Sequence, residues 1–238
     1  MEEKYPMRIN KYLAHKRYST RRGADELIQM GHVTINGRRA VLGDKVSEKD
    51  AVVVKQQKKN YRYFAYNKPR HVITHSPQGN EQDILGVIDI QDVFPVGRLD
   101  KDSHGLIILT DDGRVTDRLL NPASEHEKEY IVTTAHKTRP SFAEHMQKGV
   151  DIGGYVTKKC KVTMLGEQLF KIVLSEGKKH QIRRMCVALH TDVVELQRTR
   201  IMHVRLGSLK PGEYRALTGV ELEHFLKDLG LSDAPPQK

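Results

Sequence analysis

The chain has 238 residues, room for one or two domains with full cores, and its 40 Lys and Arg outnumber 30 Asp and Glu for a formal net charge of +10. That excess calls for a polyanionic partner, either nucleic acid or an anionic surface. Only two cysteines, no Cys-x-x-Cys, no run of eighteen apolar residues and no apolar segment after Met1 argue against a disulfide scaffold, a helical membrane span and secretion. The expectation is a reduced chain in the cytoplasm that does not engage membranes.

Taken in chain order, Ile9, Tyr12 and Leu13 share one helical face, and Ser19 or Thr20 can cap a second helix through Ala24, Leu27, Ile28 and Met30 to Gly31. A strand at 32–35, a tight Asn36-Gly37 turn, a return at 38–41 and a last strand at 51–54 follow. This first unit, 1–60 with its basic linker, is rich in cations: Arg8, Lys11, Arg17, Arg21, Arg22, Arg38 and Arg39. Arg17, Arg21 and Arg22 gather where the second helix begins. Backbone donors point outward there, so the place suits a phosphate and an RNA- or DNA-binding role.

The second unit, 61–232, alternates short strands with a few helices, an α+β pattern without regular βαβ units. Strands are expected at 63–66 (stopped by Asn67-Lys68-Pro69), 93–96, 106–109, 127–133, 159–164, 169–174, 193–196 and 202–206, with a short one near Tyr214-Arg215. Helices are expected over Val115–Leu120, Phe142–Lys148, His180–His190 and from a Thr218 cap through Leu229. Residues 84–88 fit helix or strand equally, and 233–238 read as a disordered tail. Neither a dinucleotide fingerprint nor a phosphate-loop lysine motif is present.

The chemistry concentrates in the turn Gly97-Arg98-Leu99-Asp100-Lys101-Asp102-Ser103-His104-Gly105 between two apolar strands. A structural turn needs Gly, Asn or Asp but not this density of charge. Asp100 beside Arg98 has its charged form favoured, which suits a nucleophile or charge partner better than a general acid. Lys178, Lys179, His180, Arg183 and Arg184 form another basic group. Tyr130 could stack on a base or shuttle a proton, or be an ordinary core tyrosine. Cys186 falls on a core face and reads as packing. The histidines show no metal-ligand spacing, so no metal site is expected.

These stretches together resemble a known family. Arg8–Leu13, Ser19–Arg22, Ala24–Ile28 and Gly31–Gly37 resemble the S4 RNA-binding domain, with Arg17-Tyr18 in place of its usual small residue and glycine. Gly97–Asp100 with Ser103–Leu106, Lys128-Glu129-Tyr130 and Gly177–Met185 resemble, in order and spacing, the three motifs of the RsuA/RluA-type pseudouridine synthases. Asn67–Pro69, His126–Tyr130, Val156–Cys160 and Leu196–Met202 are most similar to the RluF branch of that family. The resemblance implies an S4-like domain followed by a catalytic domain on a mixed, mainly antiparallel sheet with flanking helices. It implies isomerisation of a uridine in structured RNA, 23S rRNA with tRNA as a further substrate, by a monomer that uses no cofactor. Asp100 would attack the ribose or the uracil ring, or support a glycal route, and Arg183 would pair with it. Arg98 would fill the gap left by the everted nucleotide or hold its phosphate, Tyr130 would stack on the uracil, and Ile182 would pack against it, with Lys178, His180 and Arg184 lining the approach. The rival readings are a non-catalytic RNA-binding or ribosome-assembly protein, and a pseudouridine synthase for a different rRNA or tRNA site.

Overall fold

The structure, a computed structural model, describes residues 5–16, 18–55 and 60–231. Arg17, linker residues 56–59 and the tail from 232 onward lie outside the described residues. The chain divides into two compact units, Met1–Tyr61 with Asp112–Arg114, and Arg62–Asp111 with Val115–Lys238.

The first unit contains β1 (Met7–Arg8), α1 (Ile9–His15), α2 (Arg21–Gln29), β2 (Val33–Ile35), β3 (Arg38–Arg39), β4 (Lys45–Val46) and β5 (Val52–Val54). Thr20 caps α2, its Oγ1 accepting from the Gly23 amide at 3.1 Å, which satisfies one of the donors a helix start leaves open. Asn36 and Gly37 both have positive φ, the requirement of a two-residue hairpin turn, and they set β3 antiparallel to β2. Ile9, Leu13, Ala24 and Ile28 pack with Val33, Ile35, Ala40 and Val46 to make a small apolar core. The cations Arg8, Lys11, Arg21, Arg22, Arg38 and Arg39 are all exposed. Arg21 and Arg22 open α2, whose first turn carries no acid.

The second unit contains β6 (Tyr63–Lys68), α3 (Ile84–Val87), β7 (Phe94–Val96), β8 (His104–Thr110), α4 (Arg114–Leu120), β9 (Lys128–Thr134), α5 (Phe142–Lys148), β10 (Lys161–Met164), β11 (Leu169–Leu174), α6 (Gln181–Ala188), β12 (Val193–Ile201), β13 (Val204–Arg205), β14 (Tyr214–Ala216) and α7 (Gly219–Asp228). Among the described residues, nine strands form one mixed sheet in the order β10-β11-β9-β12-β8-β6-β14, with β7 beside β8 and β13 beside β12. Its ladders are antiparallel except β12 with β8, which is parallel and registered through Gln197 with His104 and Arg198 with Gly105. Gly105 through Thr110 are all buried, as the near-continuous apolar run of a central strand requires. Phe170, Ile172 and Leu174 alternate along β11 to meet Phe142 and Met146 of α5 and Ile182, Met185 and Cys186 of α6. No helix of the described residues is long and apolar enough to cross a membrane.

Three elements differ from expectation. Strand β12 does not stop at Leu196 but continues through Arg198 to Ile201, with Arg198 Nε donating to the Leu106 carbonyl of the neighbouring strand. Strand β6 runs through Asn67 and Lys68 before Pro69 ends it, since both side chains find backbone acceptors. Thr218 stands at the start of α7 without a side-chain capping bond.

Candidate active site

Pairing of β7 with β8 sets Phe94 opposite Thr110 and Val96 opposite Ile108, so the chain must turn between Gly97 and Ser103. That turn is held from beneath. The buried Thr74 hydroxyl donates to the Leu99 carbonyl at 2.8 Å and accepts from the Leu99 amide at 3.0 Å. Lys68, fully buried, donates from Nζ to the carbonyls of Val72 at 2.5 Å, Pro69 at 2.8 Å and Lys101 at 3.5 Å. The His71 amide also donates to the Lys101 carbonyl, and the Lys101 ammonium pairs with Glu81 at 2.9 Å. Burial pushes the Lys68 amine down to about 8, opposed by the carboxylates of Asp100 and Asp102.

Above the turn opens a cavity of about 350 Å³, at the small end of the roughly 300–1,000 Å³ typical of small-molecule sites. Arg98, Asp100 and Ser103 border it from the turn, Lys128 and Tyr130 from β9, Lys178, His180, Ile182 and Arg183 from the entry to α6, and Arg198 from β12. Tyr130 is partly buried and lies in register with Ile172 on one side and Arg198 on the other. Ile182 is 4% exposed and supplies an apolar wall. Arg98 is exposed at the mouth. The arrangement therefore sets the Asp100 and Glu176 carboxylates and the Tyr130 phenol around a basic, partly apolar hollow.

The expected Asp100–Arg183 ion pair is not made. Asp100 Oδ1 instead faces His180 Nε2 at 3.4 Å. His180 precedes α6 in a left-handed conformation, φ 52°, which swings its ring toward the carboxylate. The Arg183 fork is occupied elsewhere, Nη1 donating to the Val193 carbonyl at 3.1 Å and Nη2 to Ser103 Oγ at 3.3 Å. Arg183 thus ties α6 to the end of the Asp100 turn rather than to Asp100 itself. Arg184 does not border this cavity. It donates to the Ile152 carbonyl and lines an adjacent hollow with Asp151, Gly153 and Val187. In the first unit Arg38 pairs with Asp44 at 2.9 Å and Arg39 donates to the Gln29 carbonyl, so neither guanidinium is unengaged.

Sequence reasoning overlooked Thr74, Glu176 and Arg198, and read Lys68 only as part of a strand-ending motif. Glu176 is buried and accepts from the Tyr155 hydroxyl at 2.6 Å, the Lys158 amide at 2.9 Å and Gln181 Nε2 at 2.8 Å, which fixes the 177–180 loop. The signal available at Arg198 was strand alternation, which places it on the same face as the buried Leu196. Burial lifts the thiols of Cys160 to about 11 and Cys186 to about 12, consistent with packing roles. Among the described residues, no group of three or more His, Cys, Asp or Glu gathers where a metal ion could be held.

Comparison with known proteins agrees with this architecture. Residues 62–188 match the family described as RNA pseudouridylate synthase, and residues 7–52 match the S4 domain. The chain is 41% identical to the dual-specificity RNA pseudouridine synthase RluF of Escherichia coli (strain K12), over 93% of this chain and 79% of that protein. It is 32% identical to the ribosomal small subunit pseudouridine synthase A of Vibrio cholerae, over 93% of this chain and 100% of that one. A crystal structure titled pseudouridylate synthase superposes with a TM-score of 0.69 at 31% identity, covering 92% of this chain and 99% of its own. The chain belongs to the RNA pseudouridylate synthase family. It is an RNA pseudouridine synthase that carries an S4 RNA-binding domain, with affinity to the RsuA and RluF members of that family.

Proposed function

We propose that this enzyme isomerises a specific uridine of 23S rRNA to pseudouridine in the cytoplasm, with tRNA as a second substrate, and that Asp100 is its catalytic aspartate. The observation that carries the reading is Asp100 itself, presented by a clamped turn into a cavity large enough for a nucleoside and shared with Tyr130 and Arg183. The similarity to RluF, a protein named for dual specificity, supports the pair of substrates. A base stacked in folded RNA cannot reach such a hollow, so the uridine turns out of the stack first.

In the pocket the uracil lies between Tyr130 and Ile182, with Arg98 at the mouth against the phosphate or in the gap left behind. Asp100 faces the ribose as an anion and supports cleavage of the C1′–N1 bond. The base then rotates and C5 bonds to C1′. The hydrogen on C5 departs as a proton and N1 gains one, so the isomerisation is redox-neutral. Lys178, Lys179 and His180 receive backbone phosphates at the rim. Arg183 acts by bracing the turn through Ser103. Residues 1–60 form the S4-like domain and linker, contributing phosphate contacts through Arg8, Lys11, Arg17, Arg21 and Arg22, and 61–232 form the catalytic domain. The protein works as a monomer.

Mapping of pseudouridines in rRNA and tRNA from cells with and without this gene product tests the reading. Loss of one 23S rRNA site is expected. Unchanged maps in both RNA classes would leave a binding protein, and loss at another position would keep the chemistry and replace the substrate.

A further inference from the structure

Arg198 is 3% exposed and borders the cavity from the middle of β12. Its Nε donates to the Leu106 carbonyl at 2.6 Å, while its Nη2 is buried without a hydrogen-bond partner. No carboxylate pairs with it among the described residues. Its charge is felt nearby: burial depresses the Lys128 amine, and Arg198 depresses it further. Burying a guanidinium with an empty donor and no counter-charge is unfavourable. Such a group is favoured where negative charge develops during a reaction, because the fixed donor needs no reorganisation at that moment.

The reaction develops a negative charge of this kind. When C1′–N1 breaks, both electrons of the bond stay with N1, and uracil becomes an anion whose charge is shared among N1, O2 and O4. The complementary positive charge on the sugar faces Asp100. Resting on the proposed isomerisation, we infer that Arg198 is a catalytic residue whose guanidinium, at the cavity wall, donates to a uracil carbonyl as the base departs. Arg198 lies in register with Tyr130, so a ring stacked on the phenol has this guanidinium beside its edge. Once C5 has bonded to C1′ and the C5 proton has left, the ring is neutral again and the interaction weakens, which frees the product. The inference assigns opposite charges to the two parts of the separating nucleoside: Asp100 to the sugar and Arg198 to the base.

The test compares single-turnover cleavage of the N1-linked nucleoside in two transcripts, with uridine or 5-fluorouridine at the mapped position. Fluorine leaves O2 and O4 in place but stabilises the departing anion, so it lessens the need for Arg198. In Arg198→Gln, cleavage at uridine is expected to slow by about 10²–10³-fold, the range for losing one such donor, and cleavage at 5-fluorouridine to slow at least tenfold less. Arg198→Lys, which keeps a charge, should fall between. The ratio of the two substrates is internal to each variant, so a partly unfolded preparation does not distort it. Equal slowing on both transcripts would reduce Arg198 to a brace for β8. Weaker RNA binding with unchanged single-turnover rates would make it a phosphate contact. Either result overturns the inference. If the wild-type protein converts neither transcript, the proposed isomerisation falls instead, and that outcome is separable from the other two.

Discussion

In the S4-bearing unit the cations Arg8, Lys11, Arg21 and Arg22 stand in solvent, on a scaffold whose apolar core is eight buried side chains. In the catalytic unit Lys68 and Arg198 are buried and Arg183 half-buried, and each donates to backbone carbonyls. The two kinds of positive charge have different physical consequences. Exposed cations attract a polyanion over a distance, release counterions and are screened by salt. Buried cations in fixed geometry contribute little to encounter but hold or stabilise groups at the point of reaction. On the proposed function, the first set governs how tightly RNA is held and the second how fast one base is converted.

The largest expected effect is at the pocket. Asp100→Asn should abolish product formation, by at least ~10³-fold in single turnover, while gel-shift affinity and thermal melting stay near wild type. Full activity in that variant would remove the carboxylate from the mechanism and collapse the distinction just drawn.

A middle-sized effect follows from Lys68. Its amine loses a proton near pH 8 in the folded protein, below the 10.5 usual for a lysine, because burial disfavours its charge. Between those values the unfolded chain binds the extra proton, so this group's contribution to stability rises with pH. The ammonium that donates to the carbonyls of Val72 and Lys101 is lost over the same interval. Turnover should fall several-fold as pH rises past about 8 without a matching drop in melting temperature, and Lys68→Arg should move that limb up by about one unit or more. A pH–rate profile beside a pH–melting series decides it. An alkaline limb identical in both proteins would place its origin elsewhere.

The smallest effect on turnover belongs to the exposed set. Replacing Arg21 and Arg22 together by alanine should weaken RNA binding about tenfold and lower the slope of log K against log salt by roughly 1 to 2, as expected for two lost phosphate contacts. The single-turnover rate at saturating protein should not move. A change in that rate with an unchanged salt slope would invert the roles given to the two regions.

The legible part of the fold was the part with ordinary patterning. The helices α5 and α6, the β10–β11 hairpin and the β7–β8 pair all announce themselves by period and turn residues. The Asp100 turn stood out because its charge exceeded what a turn needs. What stayed hidden were polar residues used against their usual preference. Arg198 and Lys68 lie inside strands and are buried; Lys68 was read as part of a strand-ending motif, and the strand leading to Arg198 was ended at Leu196. Thr74 sits in a loop 25 residues before its partner Leu99, a relation that spacing does not reveal. The Asp100–Arg183 pairing was what the family resemblance implied, but a left-handed residue at the start of α6 brings His180 to the carboxylate instead.

The parallel ladder between β12 and β8 is short, and at Gly105 the two backbones come so close that a Cβ there would stand 2.3 Å from the Arg198 carbonyl oxygen and 2.7 Å from its nitrogen, at a φ of +105° that also disfavours side chains. Asp100 is carried on the β8 side of this seam, and Tyr130 on the β12 side. Mutational drift that exchanged this glycine for even alanine would wedge the halves apart and spoil their alignment while leaving the antiparallel ladders within each half intact. One missing methyl group thus acts as the spacer that sets the gauge of the candidate pocket.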